Sequence, residues 1–342
     1  MPTIHEVAQR AGVSLGTVSN VLNHPELVAS ETRERVEQII EELGFVRNGS
    51  ARQLRTGSTQ SIALMVLDVS NPFFTEVARG VEAAASKHGY LVILCNSNKS
   101  PDKEQGYLRT LEEQRVAGVL IVPTTGNTPR FQFARAGRRS GMAVVLLDRA
   151  SGDAEICSVS VDDVYGGELA GHHLLELGHR RIAYIHGPLT TGQYTDRLQG
   201  LRQAIVAVGL DPDSVITSIG VEKDTPTGGK ASVEELLAMA DRPTALCCGN
   251  DYLAMGVMYE LARRGFSIPS DFSLIGYDDI DLAPMLVTPL TTIRQPKYDL
   301  GYAAAELLFD EIARKNTHAH RHVVFRPELV VRQSTQARHT RR

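Results

Sequence analysis

Asp148 and Arg149, Asn250, Asp278 and Gln295 each follow a short apolar run, as does the stretch holding Asn71, Phe73 and Phe74. Arg197 lies just beyond another such run, at the start of a helical pattern. Together these side chains suit a small ring carrying many hydroxyls. Phe73 and Phe74 can sandwich its C–H faces. Asp148 and Asp278 can accept hydroxyl protons in charge-assisted bonds, while Arg149 and Arg197 donate to hydroxyl or ring oxygens. Asn250 and Gln295 can do both. Taken singly, any of these residues could equally cap a helix or close a turn, and Asp251 reads as the cap of the helix that follows it.

Other chemistries find little support. There is no G-x-S-x-G elbow and no recognisable nucleophile–base pair. Gly166-Gly167 and Gly228-Gly229 lack the spacing of a dinucleotide or phosphate loop. His172, His173 and His179 read as surface or interface residues, and His318, His320 and His322 as a loop entering a strand, so no metal is expected. Cys95, Cys157, Cys247 and Cys248 form no C-x-x-C pair and read as buried reduced thiols. No cofactor is implied.

The elements that must position the polar set alternate in type. Strand patterns cover Ile62–Leu67, Tyr90–Cys95, Gly118–Val122 and Ala143–Leu147, then Ile182–Ile185, Ala245–Cys248 and Leu274–Tyr277. Helical patterns separate them, as at Phe74–His88 before Gly89. Such alternation predicts α/β architecture with parallel sheets covered by helices on both faces.

The first 45 residues differ. Ile4, Val7, Ala8 and Ala11 line one helical face before Gly12. Ser14 can cap a second helix from Leu15 to about Leu22, and a third follows Ser30, with Val36, Ile39, Ile40 and Leu43 on one face. Two short helices joined through Gly-Val-Ser make a helix-turn-helix. The pattern alone also admits a three-helix bundle that binds nothing. Charge does not decide: residues 1–58 hold six Arg against seven Glu and no Lys.

The residues themselves go further. The run from Ile4 through Ala8-Gln9-Arg10-Ala11-Gly12-Val13-Ser14 and Thr17-Val18-Ser19-Asn20-Val21-Leu22-Asn23 resembles the headpiece of the LacI/GalR repressor family, as does Asn48-Gly49-Ser50-Ala51-Arg52-Gln53-Leu54-Arg55-Thr56-Gly57. The resemblance covers essentially residues 2–335. It implies that the helix from Leu15 enters the major groove of operator DNA, with Leu15, Gly16 and Asn20 at base-reading positions and Ser14, Thr17 and Ser19 positioning phosphates. Asn20 can pair bidentately with adenine, whereas the Arg often found there favours guanine. Residues 48–57 are too short and polar to hold a helix alone. The resemblance implies a hinge helix that orders on DNA: Asn48 and Ala51 lie within it, Leu54 wedges into the minor groove, and Arg52 and Arg55 meet phosphates.

The same resemblance implies a two-lobed, periplasmic-binding-protein-like domain with the ligand between lobes, at strand carboxyl ends. The polar set is similar to the pocket of ribose-binding proteins and ribose-type repressors. One departure stands out: the family often has an aromatic after the strand that follows the Arg197 helix, and Ile219-Gly220-Val221-Glu222-Lys223-Asp224 contains none.

The expected layout is a headpiece at 1–47, a hinge at 48–58, an effector and dimerisation domain at 60–335, and a basic tail at 336–342. Within that domain the first lobe takes about 60–160 plus 292–322, and the second about 161–290 plus 323–335. The expected protein is a cytoplasmic homodimer, or a tetramer, that leaves its operator when a ribose-like sugar binds. The 342 residues, 42% hydrophobic with a formal charge of −4, show no signal-peptide pattern and no apolar run long enough for a bilayer. A purine, nucleoside or sugar-phosphate effector, acting as corepressor, is the nearest alternative. A solute-binding protein would lack the headpiece and carry an export signal, and an enzyme would need a catalytic constellation.

Overall fold

The computed structural model describes residues 2–45, 59–124, 141–149, 155–314 and 317–338. The chain divides into two units, the first ending at Thr59 and the second starting at Gln60.

The first unit holds α1 (Ile4–Ala11), α2 (Leu15–Asn23) and α3 (Ser30–Leu43). A reciprocal capping box starts α1, where the Glu6 amide donates to Thr3 Oγ1 and the Thr3 amide to Glu6 Oε2. Gly12 ends α1 at φ +65°, a left-handed conformation that costs other residues more. Ser14 Oγ then accepts the Thr17 amide at 3.1 Å and opens α2. A nine-residue helix is marginal alone, and packing holds it: Val18 and Val21 join Val7, Ala8, Ala11 and Val36 in one buried core. The third helix starts at Ser30 itself, with Ala29 at the cap position and no side-chain cap bond.

The second unit runs β1 (Ser61–Val66), α4 (Pro72–Lys87), β2 (Leu91–Asn96), α5 (Pro101–Glu113), β3 (Gly118–Ile121), β4 (Ala143–Leu147) and β5 (Cys157–Val161). It continues with α6 (Asp163–Glu176), β6 (Ile182–His186), α7 (Gly192–Ala207), α8 (Pro212–Val215), β7 (Ile216–Gly220), α9 (Pro226–Ala238), β8 (Ala245–Cys248), α10 (Asp251–Arg263) and β9 (Ser273–Asp278). Last come β10 (Thr291–Arg294), α11 (Lys297–Ala313), β11 (His322–Phe325) and β12 (Glu328–Val330). Two sheets result, ordered β11-β5-β4-β3-β1-β2 and β12-β10-β9-β8-β6-β7. Among the described residues every pairing is parallel except β10 with β12. Each sheet is apolar on both faces, as parallel sheets under helices require.

The chain passes between lobes three times, and two passages differ from the sequence expectation. The first falls after Val161. The second falls after β10, which lies in the second sheet, not the first; α11 then packs against α4. The third falls after Phe325, so all of β11 belongs to the first lobe. Thr291 and Thr292 are fully buried, and a buried strand must pair on both edges. The tail expected from 336 starts later: Arg338 donates its amide to the Leu177 carbonyl, and residues 339–342 lie outside the described residues. His179 is buried, not on the surface; its ring nitrogens bond Thr244 and Ser273 hydroxyls.

One glycine of each pair that matches no nucleotide motif serves helix packing, Gly167 against α7 and Gly229 against α10. A Cβ on Gly167 in α6 would meet the Arg197 carbonyl oxygen of α7 at 2.1 Å, and one on Gly200 would meet the Val164 carbonyl oxygen at 1.8 Å. This close crossing sets Arg197 against Asp163 at the start of α6. Gly167→Ala is expected to push α7 outward and cost about 1–3 kcal/mol, the usual range for overpacking. Urea unfolding measures it, and an unchanged midpoint with an unchanged slope would contradict the packing argument.

Candidate functional site

The α2 surface carries the first set of predicted residues. Ser14, Leu15, Gly16 and Asn20 are exposed, with Leu15 40% accessible although it is a leucine. Val18 and Val21 point into the core, so the helix presents its polar face outward. Ser14 Oγ and Thr17 Oγ1 lie 2.9 Å apart at the helix N-terminus, where backbone amides and hydroxyls favour phosphate. Ser19 is tied back: Asn23 Nδ2 donates to its carbonyl at 2.7 Å. Asn48, Ala51, Arg52, Leu54 and Arg55 lie outside the described residues.

The second set converges between the lobes. Asn71, Phe73, Phe74, Asp148, Arg197, Asn250, Asp278 and Gln295 all line one cavity. Asn71, Asp148, Asn250, Asp278 and Gln295 stand at or just beyond the carboxyl ends of β1, β4, β8, β9 and β10, as the open α/β rule requires, while Phe73 and Phe74 come from the first turn of α4 and Arg197 from the second turn of α7. Asp148 and Asp278 leave their strands at φ +54° and +118°. Such backbone is uncommon outside glycine, and at functional sites it aims a side chain.

Arg197 forms the floor. Its Nε donates to Asp163 Oδ1 at 2.8 Å and its Nη1 to the Gly249 carbonyl at 2.6 Å, and its guanidinium carbon sits 3.6 Å from the Tyr277 ring centroid. Burial opposes its charge, but Asp163, Tyr277, Asp278 and Asp148 outweigh that and hold its pKa well above the ordinary range. The carboxyls lose more than they gain. Burial, with help from Asp163, pushes Asp148 up to about 8 against the pull of Arg197 and Gln193. Burial pushes Asp278 up to about 8 as well, again against Arg197. Asp163 is raised for the same first reason. Gln295 Nε2 donates to Asp278 Oδ1 at 2.7 Å and Gln193 Nε2 to Asp148 Oδ2 at 3.0 Å. Among the described residues, Asp148 Oδ1 and Gln295 Oε1 are buried oxygens without a hydrogen-bond partner.

Some placements correct the sequence reading. Arg149 does not line the cavity; its Nη1 donates to Asp196 Oδ2 at 2.7 Å, from the first lobe to α7 of the second. Phe73 and Phe74 do not sandwich a ring. Their centroids are 5.1 Å apart and their planes meet at 79°, so they form one corner of the wall. Adjacent residues in a helix turn point about 100° apart, which forbids a sandwich. Asp251 is not a cap. Asn250 is, accepting the Leu253 amide through Oδ1, while the fully buried Asp251 accepts from Thr292 Oγ1 at 2.6 Å and the Ile280 amide at 2.9 Å.

The cavity also holds residues outside the predicted set, Leu67, Asp68 and Thr191 among them, and four of these carry its polar contacts: Lys99, Gln193, Tyr194 and Asp224. Lys99 follows β2 and forms an ion pair across the cleft with Asp224, which also accepts from the Tyr194 hydroxyl. Asp224 occupies the stretch where an aromatic was missing, and Tyr194 brings an aromatic from α7 instead. The spacing held the signal: Gln193 and Tyr194 stand four and three residues before Arg197, on its helix face.

Comparison with known proteins agrees with this geometry. Residues 3–48 match the family described as bacterial regulatory proteins, lacI family, and residues 172–335 match a periplasmic binding protein-like domain. The chain is 35% identical to the HTH-type transcriptional repressor PurR of Aliivibrio salmonicida over 98% of its own length and 99% of that protein's. It is 36% identical to the ribose operon repressor of Escherichia coli K12, covering 92% and 94%.

The chain belongs to the LacI family.

It is therefore a DNA-binding transcriptional repressor and not an enzyme. A LacI family regulator from Enterococcus faecium, solved with bound ribose, superposes with a TM-score of 0.74 at 31% identity, covering 82% of this chain and 100% of that one. No helix among the described residues of this repressor is long and apolar enough to cross a membrane.

The raised carboxyl gives a signed prediction. Because folding raises the Asp148 pKa, the folded state holds that proton more tightly than the unfolded chain. Its contribution to stability then declines as pH rises from the ordinary carboxylate range toward 8. Asp148→Asn removes the decline. Without added ligand, the variant's melting temperature is expected to gain on wild type from pH 5 to pH 8. A gap constant with pH would mean that Asp148 stays ionised throughout.

Proposed function

We propose that this repressor is a homodimer released from its operator by ribose or a closely related pentose. The observation that carries the reading is the pair of buried side-chain oxygens without hydrogen-bond partners, Asp148 Oδ1 and Gln295 Oε1, in a cavity that also holds Asp278, Asn250 and Arg197. A buried polar atom left alone costs about 1–3 kcal/mol. A pentose carries several hydroxyls, each able to donate to one neighbour and accept from another, and its C–H face suits the Phe73–Phe74 corner. A purine has a broader flat face and fewer donors, and fits an acceptor-rich rim less well. The ribose-bound relative and the ribose operon repressor support the sugar reading.

The cleft is already drawn together by polar bridges between lobes: Lys99 with Asp224, Arg149 with Asp196, and Gln193 with Asp148. The cavity they enclose is about 40 Å³. That is room for a few waters, so a sugar enters when the Lys99–Asp224 bridge gives way. Sugar hydroxyls then replace the bridge, the lobes reset, and the two hinge segments of the dimer, residues 48–57 in each chain, no longer pair as helices. Operator binding must again include the cost of ordering them. Exposed Leu91, Leu94, Met285 and Val287 offer apolar surface for the second copy. A tenfold loss of operator affinity needs only about 1.4 kcal/mol of coupling.

Calorimetry against ribose, other pentoses, nucleosides and purines, paired with operator retardation, tests this. A pentose is expected to bind and to weaken the operator complex at least tenfold, and Asp148→Asn to lose tenfold or more in pentose affinity. A purine that binds and tightens the complex would overturn the sugar reading. Leu54→Ala is expected to weaken operator binding and leave sugar affinity alone; an unchanged operator constant would remove the wedge.

A further inference from the structure

Far from the cleft, at the amino end of β5, a second cluster gathers from distant parts of the chain. Cys157 Sγ lies 3.1 Å from His318 Nε2 and 3.7 Å from His320 Nδ1. Glu311, near the end of α11, completes a group whose four ligand atoms all lie within 4.8 Å of one another. In a tetrahedral zinc site, bond lengths near 2.3 Å to sulfur and 2.0–2.1 Å to nitrogen set the S···N edge at about 3.6 Å. The two observed S···N distances bracket that edge.

The surroundings suit metal ligation better than plain hydrogen bonding. Two imidazole nitrogens converge on one thiol, which has a single proton to share. Asp310 Oδ2 accepts from His318 Nδ1 at 2.9 Å, leaving the Nε2 lone pair facing the sulfur, the carboxylate–histidine arrangement that supports metal-bound imidazoles. The Arg321 amide donates to Cys157 Sγ at 3.3 Å and fixes the sulfur's position. Glu311 Oε2 is buried, and among the described residues it has no hydrogen-bond partner.

We infer that Cys157, Glu311, His318 and His320 form a binding site for a zinc-class divalent cation. One sulfur, two imidazoles and one carboxylate select zinc, or cobalt as its probe, over magnesium or calcium, which prefer oxygen alone. The cation joins β5, α11 and the segment entering β11. Both β5 and β11 lead straight to lobe crossings, so the site fixes the outer ends of two of the three connecting strands. Spacing in the sequence hid it: His318 and His320 alone carry no metal signature, and Cys157 lies 161 residues before His318.

The test uses reduced, untagged, full-length protein and cobalt(II). One equivalent is expected to give the visible bands of tetrahedral cobalt and a near-ultraviolet thiolate charge-transfer band, both displaced by zinc. Cys157→Ser is expected to lose the charge-transfer band, and His320→Ala to weaken binding at least tenfold. His322→Ala is expected to bind as wild type, because His322 Nδ1 pairs with Ser158 Oγ outside the cluster. Zinc is expected to raise the melting temperature of wild type and not of Cys157→Ser, with circular dichroism confirming that each variant is folded. A wild type that stays spectrally silent, or a cobalt spectrum unchanged in folded Cys157→Ser, would overturn the site.

Discussion

Three buried carboxyls and one guanidinium crowd together at the interlobe cleft, and the chain leaves one of their oxygens, Asp148 Oδ1, without a partner. Arg197 neutralises one charge, through Asp163 at 2.8 Å. Asp148 and Asp278 remain, each drawn toward its protonated form by burial. An unpaired carboxylate in a dry site is costly. On the proposed reading, a ring of hydroxyls supplies the missing partner.

On that reading the fold acts as a switch because the ligands come from both lobes. Asp148 and the Phe73–Phe74 corner belong to the first lobe; Arg197, Asn250, Asp278 and Gln295 belong to the second. Any molecule that bonds both sets changes how the lobes meet. Without it, the chain's own bridges compete for the same space, with Lys99 and Asp224 filling part of the cavity. On the proposed reading, the bridged and ligand-bound states are separated by an exchange of polar bonds, not by loss of them. Such exchanges differ by small free energies, of the order that allosteric coupling uses.

Much of the cleft was legible because strand ends are legible. Apolar runs locate the strands, and the parallel α/β rule places function just beyond them, which found Asn71, Asp148, Asn250, Asp278 and Gln295. Contacts across the cleft were not legible. Arg149 sits at a strand end but reaches Asp196, a choice made by side-chain reach that no local pattern encodes. Lys99 and Asp224 find each other from different sheets. Lobe boundaries failed for a related reason: β10 and β11 look alike as short apolar segments, and only pairing partners assign them to sheets. In the headpiece the Ser14 cap, Gly12 and the apolar spacing located the three helices, since short helices are specified by local signals; the Thr3–Glu6 capping box went unread.

The most direct test of the central claim is carbon-13 titration of the Asp148 and Asp278 carboxyls by nuclear magnetic resonance, in free protein and with saturating ribose. The account predicts that both titrate near 8 in the free protein and fall well below that once hydroxyls donate to them. Ordinary carboxylate values in the free protein, or values unmoved by the sugar, would contradict it.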